Sequence, residues 1–102
     1  MDLDKAIRLT IDSGKVIVGF RECIKSIING NGKLVILANN IPTDTAKDIE
    51  YYSSMSNIPL LRYKGTSINL GEVCGFPYPV SVMLVLEEGD SGILNIVGSS
   101  EE

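Results

Sequence analysis

The chain has 102 residues and a mass of 11.0 kDa, enough for one hydrophobic core and too little for two. Apolar residues make up 44% and charged residues 22%, the balance of an ordinary globular domain, with a net charge of −4. Histidine is absent, which excludes Ser–His and Cys–His couples, His-ligated zinc and any general base with an ordinary pKa near neutrality.

The opening MDLDK is acidic, so no secretory leader is expected. Leu3, Ala6, Ile7, Thr10 and Ile11 recur at helical spacing between charged residues, which predicts an amphipathic helix. Asp2 is placed to cap it and Gly14 to end it in a left-handed conformation. A β-branched run, Lys15 to Gly19, predicts a strand. From Phe20 the helical period returns, with Phe20, Cys23, Ile24, Ile27 and Ile28 inward and Arg21, Glu22 and Lys25 outward, until Gly30 and Gly32. Lys33 to Ala38 is continuously apolar, as in a strand covered on both faces.

After the loop Asn39-Asn40-Ile41-Pro42, Thr43 is expected to cap a helix to about Ser56, with Ile49, Tyr52 and Met55 inward. Leu60 to Tyr63 predicts a strand and Ser67 to Cys74 a short helix. Phe76-Pro77-Tyr78-Pro79 is stiffened by its prolines before a strong strand, Val80 to Leu86. The turn Glu87 to Gly92 is expected to lead into a last strand, Ile93 to Val97, and a loose tail over 98–102.

Alternating helices and strands predict a single α/β domain: a three-layer α-β-α sandwich around a small mixed, mostly parallel sheet. The short turn before the last strand requires one antiparallel member. No apolar run is long enough to span a membrane. Cys23 and Cys74 fit two small buried thiols in a reducing compartment better than a lone disulfide.

All nine basic residues and seven of the thirteen acids lie in residues 1–64, and the remaining six acids lie after them with no base. The average therefore hides a possible local basic surface. In a sheet of this kind ligands meet the loops at the carboxyl ends of the parallel strands. Three features fall there. Gly19 opens a helix whose free N–H groups and dipole attract phosphate, with Arg21 and Lys25 at i, i+4 on its outer side. Asn39 and Asn40 carry amides able to donate to and accept from base edges. Phe76 and Tyr78 precede a strand whose start reaches the same edge if it runs antiparallel. Each has a plainer explanation: a solvated helix face, turn-forming asparagines, and rings that close the core, an option left open for Tyr78 and preferred for Phe76. Cys23 falls on a buried helix face, and Gly65-Thr66-Ser67 lacks the Lys of a phosphate loop. Asp44, Asp48 and Glu50 are first-turn helix acids by default.

The segments SGKVIVGFRECIKSI, KLVILANNIP, DIEYYSSMSNIP, GTSINLGEVCG and LEEGDSGIL resemble, in order and spacing, the ribosomal protein L thirty e family. That family lies in the superfamily of kink-turn RNA-binding proteins. The resemblance implies an α-β-α sandwich that holds a kinked internal loop of ribosomal RNA, with no cofactor and no catalysis. By position it implies an RNA surface of Gly19, Phe20, Arg21, Glu22 and Lys25, of Asn40, Ile41 and Pro42, and of Tyr78, Pro79 and Val80. Within it, Arg21 and Lys25 would contact phosphates, Asn40 and Glu22 would read base edges, and Tyr78 would stack. Implied partners are ribosomal RNA and other proteins of the large subunit, in a cytoplasmic ribosome, with a monomer away from it. A core protein of a small guide ribonucleoprotein is the nearest alternative. A small α/β enzyme or metabolite-binding domain, with a polar pocket around Asp44 or Glu72 and Tyr78 packed inward, is the alternative from another class.

Overall fold

The computed structural model describes residues 3–94. Helix α1 (Leu3–Ser13) leads into strand β1 (Lys15–Val18), then α2 (Phe20–Ile28), β2 (Leu34–Leu37), α3 (Thr43–Met55), β3 (Leu60–Arg62), α4 (Ser67–Cys74) and β4 (Val82–Glu87). The sheet order is β1-β4-β2-β3. β4 is antiparallel to both β1 and β2, while β2 and β3 are parallel. Three of the four strands therefore point one way and β4 alone points back, inserted between β1 and β2.

Strand periodicity divides the interior in two. Leu34, Ile36, Met83 and Val85 face α1 and α4, packing with Ala6, Ile7, Leu70 and Cys74. Val35, Leu37, Val82 and Leu84 face α2 and α3, packing with Cys23, Ile27, Ala46 and Ile49. β2 is buried along its whole length, as its unbroken apolar run requires. The result is the three-layer sandwich. It also separates the thiols: Cys23 and Cys74 are both buried and free, one on each side of the sheet.

Several local expectations are corrected. The segment after the Glu88–Gly92 turn begins as helix at Ile93 and Leu94, not as a strand. Ser91, buried, turns the chain: its hydroxyl accepts from Ile93 N–H at 3.2 Å and donates to Glu88 O at 2.8 Å, while Thr10 of α1 donates to it at 2.7 Å. A serine accepting from the N–H two residues on is a helix-start geometry, and it overrides the β-branched pattern. The rest of the expected strand and the tail lie outside the described residues, as does Asp2. The N-cap of α3 is Pro42 rather than Thr43, with no side-chain cap bond. Met55 is 66% exposed and Ile28 60%, because α2 and α3 each bury a narrower stripe than the apolar count suggests. Gly14 ends α1 without a left-handed φ; its bare Cα instead makes room for the carbonyl of Glu87 on the neighbouring strand.

Candidate nucleic-acid interface

The sheet topology determines which loops meet. Val18 pairs with Met83, and Leu37 with Val82, so the ends of β1 and β2 abut the start of β4. Hydrogen bonds stitch the loops beyond them into one edge. Gly19 N–H donates to Val82 O at 3.1 Å, Ala38 N–H to Ser81 O at 2.9 Å, Asn39 N–H to Gly65 O at 3.0 Å and Val80 N–H to Ser67 O at 2.9 Å. The loops after β1, β2 and β3 and the loop before β4 thus form a continuous rim.

At the first loop, Gly19 has φ 102°, a conformation that disfavours any side chain, and a Cβ there would meet nothing within 4 Å. The backbone at the start of α2 is consequently open to approach. No side chain caps α2, so its first-turn N–H groups keep their bonding capacity and positive end of the dipole. Phe20, Arg21, Glu22 and Lys25 are all exposed. Within the described residues Arg21 and Lys25 form no ion pair, whereas Arg8, Lys15 and Arg62 are paired with Asp12, Glu87 and Glu50. The cations nearest the open helix start are thus uncompensated within the described residues. Cys23, one turn in, points into the core; burial pushes its thiol up to about 12 despite the nearby helix terminus.

At the second loop, Asn40 is exposed but its amide is partly committed. Its Oδ1 accepts from Ser67 N–H at 2.9 Å, the first residue of α4, and its Nδ2 lies 3.5 Å from Ser67 Oγ. Asn39 Nδ2 donates to Lys64 O at 2.6 Å. The two asparagines therefore clamp the β2 loop to the β3–α4 loop. Ile41 is buried among the residues facing α3, and Pro42 is exposed beside it. Val80 is buried on the other face, so Ile41 and Val80 position the rim through the core rather than present side chains on it.

The last loop carries Tyr78 and Pro79, both exposed, with Tyr78 at 49%. Tyr78 lies over α4, and a Cβ on Gly71 would collide with its carbonyl, so only glycine lets the loop lie this close. Phe76, half-buried, stacks on Tyr78 with centroids 5.2 Å apart and planes at 14°. One ring joins the core and supports the other.

The structure brings Gly19, Phe20, Arg21, Glu22, Asn40, Pro42, Tyr78 and Pro79 to the loops of one edge, and Lys25 continues it one turn along α2. The sequence reading overlooked Lys64, Ser67 and Gly71. Lys64 is exposed two residues after β3, where its place at a third strand end was the available signal. A glycine inside a short helix was the signal for Gly71. The inward tyrosine required by an enzyme pocket around Asp44 or Glu72 is not what the structure has. Among the described residues no group of three His, Cys, Asp or Glu could hold a metal, and no helix is long and apolar enough to cross a membrane.

In an α-β-α sandwich the strand-end loops gather along one edge, the place where open α/β sheets meet ligands. The chain belongs to the ribosomal protein L7Ae/L30e/S12e/Gadd45 family, which residues 1–95 match. It is 52% identical to the large ribosomal subunit protein eL30 of Methanocaldococcus jannaschii, over 99% of this chain and 92% of that one. It is 49% identical to the protein of the same name from Methanothermobacter thermautotrophicus, over 96% of this chain and all of the other. Among solved structures, a protein of unknown function from Bacillus halodurans shares the fold, with a TM-score of 0.81, 20% identity and coverage of 96% and 94%.

Proposed function

We propose that the chain is a non-catalytic component of the large ribosomal subunit that grips a kinked internal loop of ribosomal RNA on the edge built by Gly19, Asn40 and Tyr78. About half of its residues are identical to those of proteins named as large-subunit components, which supports its place in a cytoplasmic ribosome among ribosomal RNA and neighbouring proteins. The observation that carries the RNA reading is the convergence of an uncapped, cation-flanked helix start with an exposed, supported ring on one rim. Phosphates of a sharply bent backbone would lie against the start of α2, within reach of Arg21 and Lys25. Glu22 and the spare amide proton of Asn40 would meet base edges, and Tyr78 would stack on an unpaired base. Pro42 and Pro79 stiffen the loops, and Ile41 and Val80 anchor them. The protein acts as a monomer away from the particle.

A gel shift with a kink-turn RNA against a straight duplex of equal length tests this directly. The kinked RNA is expected to bind selectively, and Tyr78→Ala to weaken it by about 1–3 kcal/mol, the scale of one lost stack. Equal binding of the two RNAs refutes the proposal. Recovery of guide RNA without ribosomal RNA from cells would transfer the same edge to a different particle.

A further inference from the structure

β1 is one margin of the sheet: β4 pairs with it on one side, and on the other no strand of the described residues does. The ladder with β4 fixes which backbone groups of β1 are already used. Gly19 N–H donates to Val82 O at 3.1 Å, and the register steps back through Val18↔Met83, Ile17↔Leu84 and Val16↔Val85. Alternate pairs of an antiparallel ladder exchange hydrogen bonds, so Ile17 bonds towards β4 as Gly19 does. The N–H and C=O groups of Val16 and Val18 point the other way, and no loop or helix backbone of the described residues bonds to them. The opposite margin is blunted: β3 has three residues, preceded by Pro59 and ended by Arg62 in its pair with Glu50. Val16-Ile17-Val18 is instead a half-buried, β-branched edge, the kind that proteins cover.

Beside this edge, on the α2 face of the sheet, lies a groove of about 610 Å³. Ile17 and Leu86 line it from the sheet and Ser26 from α2, while Lys15, Lys33 and Glu87 supply its charged groups. Lys15 Nζ lies 3.7 Å from Glu87 Oε2, and Lys33 forms no ion pair within the described residues. The groove therefore holds one cation in excess.

We propose that the β1 edge docks an extended segment of a neighbouring protein of the large subunit, with an acidic side chain of that segment at the groove. The inference rests on the ribosomal reading above and adds a protein contact to it. Outward N–H and C=O groups alternating at strand spacing are matched by another peptide backbone. RNA matches them poorly, because phosphate oxygens that approach these N–H groups also meet the carbonyls of Val16 and Val18. A second copy paired antiparallel about Ile17 fits no better. It would set Lys15 of each chain against the Gly19–Arg21 start of its partner's α2, cation against cation and against the positive end of a helix dipole. In a foreign strand, the residue across from Ile17 projects onto the α2 face, beside Lys15 and the groove, where a carboxylate is favoured.

The test compares amide hydrogen exchange in the free protein and in large subunits that contain it. Val16 and Val18 amides are expected to exchange at least about tenfold more slowly in the particle, while Ile17, already bonded to β4, changes little. Carbodiimide, which couples an amine to an adjacent carboxylate, is expected to join Lys15 or Lys33 to an Asp or Glu of another protein. Val16→Pro removes an outward N–H and no bond to β4. It is expected to keep the affinity for kink-turn RNA and to lose most of that cross-link. Exchange at Val16 and Val18 as fast in the particle as in the free protein overturns the proposal, as does a cross-link to a second copy or one that survives Val16→Pro in full. Protection without any cross-link to a carboxylate overturns the acidic partner. A protein that never enters large subunits overturns the ribosomal reading instead, so the two failures are distinguishable.

Discussion

Cys23 and Cys74 illustrate how place in the sandwich, rather than residue type, sets chemistry. Burial raises their thiols from 9.0 to about 12 and about 11, on opposite faces of the sheet. In the unfolded chain both ionise near pH 9, while the folded protein holds them neutral. Their contribution to stability is thus complete below pH 9 and falls away as the pH climbs towards the folded values. Urea unfolding at pH 8 and pH 10 is expected to show a loss on the order of 1 kcal/mol per thiol. A Cys23→Ala, Cys74→Ala double variant should have a flatter alkaline limb, and an unchanged slope would show that burial is not the cause. The helical period puts Cys23 on an inward face and the sequence reads both cysteines as small buried thiols, so their burial was legible. Asn40 was not: its amide type suggested base contacts, but only the register of β2 against α4 reveals that Ser67 takes up its Oδ1.

At the scale of elements, α4 controls the rim. Thr66 caps it by accepting from Asn69 N–H at 3.3 Å, while Asn69 Oδ1 accepts from Thr66 N–H at 3.0 Å, a reciprocal arrangement that fixes its start beside Asn40. Midway along, Gly71 admits the Tyr78 carbonyl. Gly71→Ala should gain helix propensity locally yet lose about 1–3 kcal/mol overall, since the new methyl group meets backbone that cannot rotate away. Thermal melts and the affinity for kink-turn RNA should fall together as Tyr78 is displaced. A more stable variant with unchanged RNA affinity would show that the close approach is not required. The helix itself was predicted from Ser67 to Cys74, as observed. Its service as a bed for the loop was hidden, because nothing in a local pattern indicates which loop crosses it. For the segment from Ile93, the same short range misled: β-branched residues suggested a strand, whereas a buried Ser91 bonded to α1 turns the described part helical.

For the whole molecule, the question is how an acidic chain of net charge −4 approaches RNA. The charge is only partly divided in space: Lys15 pairs with Glu87 at the far edge, and Glu22 stands at the rim. Arg21, Lys25 and Lys64 belong to the rim or its margin, whereas Glu87 ends β4 and Glu88 and Asp90 follow it, at the edge away from the rim. Few cations are available, so the salt dependence should be shallow and binding should rely on shape and stacking. Arg21→Gln is expected to reduce the slope of log affinity against log salt by about one unit, as for one lost phosphate contact. Titrations from low to moderate salt check this; an unchanged slope would remove Arg21 from the phosphates.

The sequence by itself determined the elements through β4, the two apolar faces of β2 and the inward stripe of α1. These follow from periodicity and short-range stereochemistry, which are local. Tertiary structure alone decided that β4 enters between β1 and β2, that Asn40 clamps α4 and that Gly71 carries Tyr78. Those relations depend on strand order and register between segments far apart in the chain, and nearest-neighbour preferences carry no information about them.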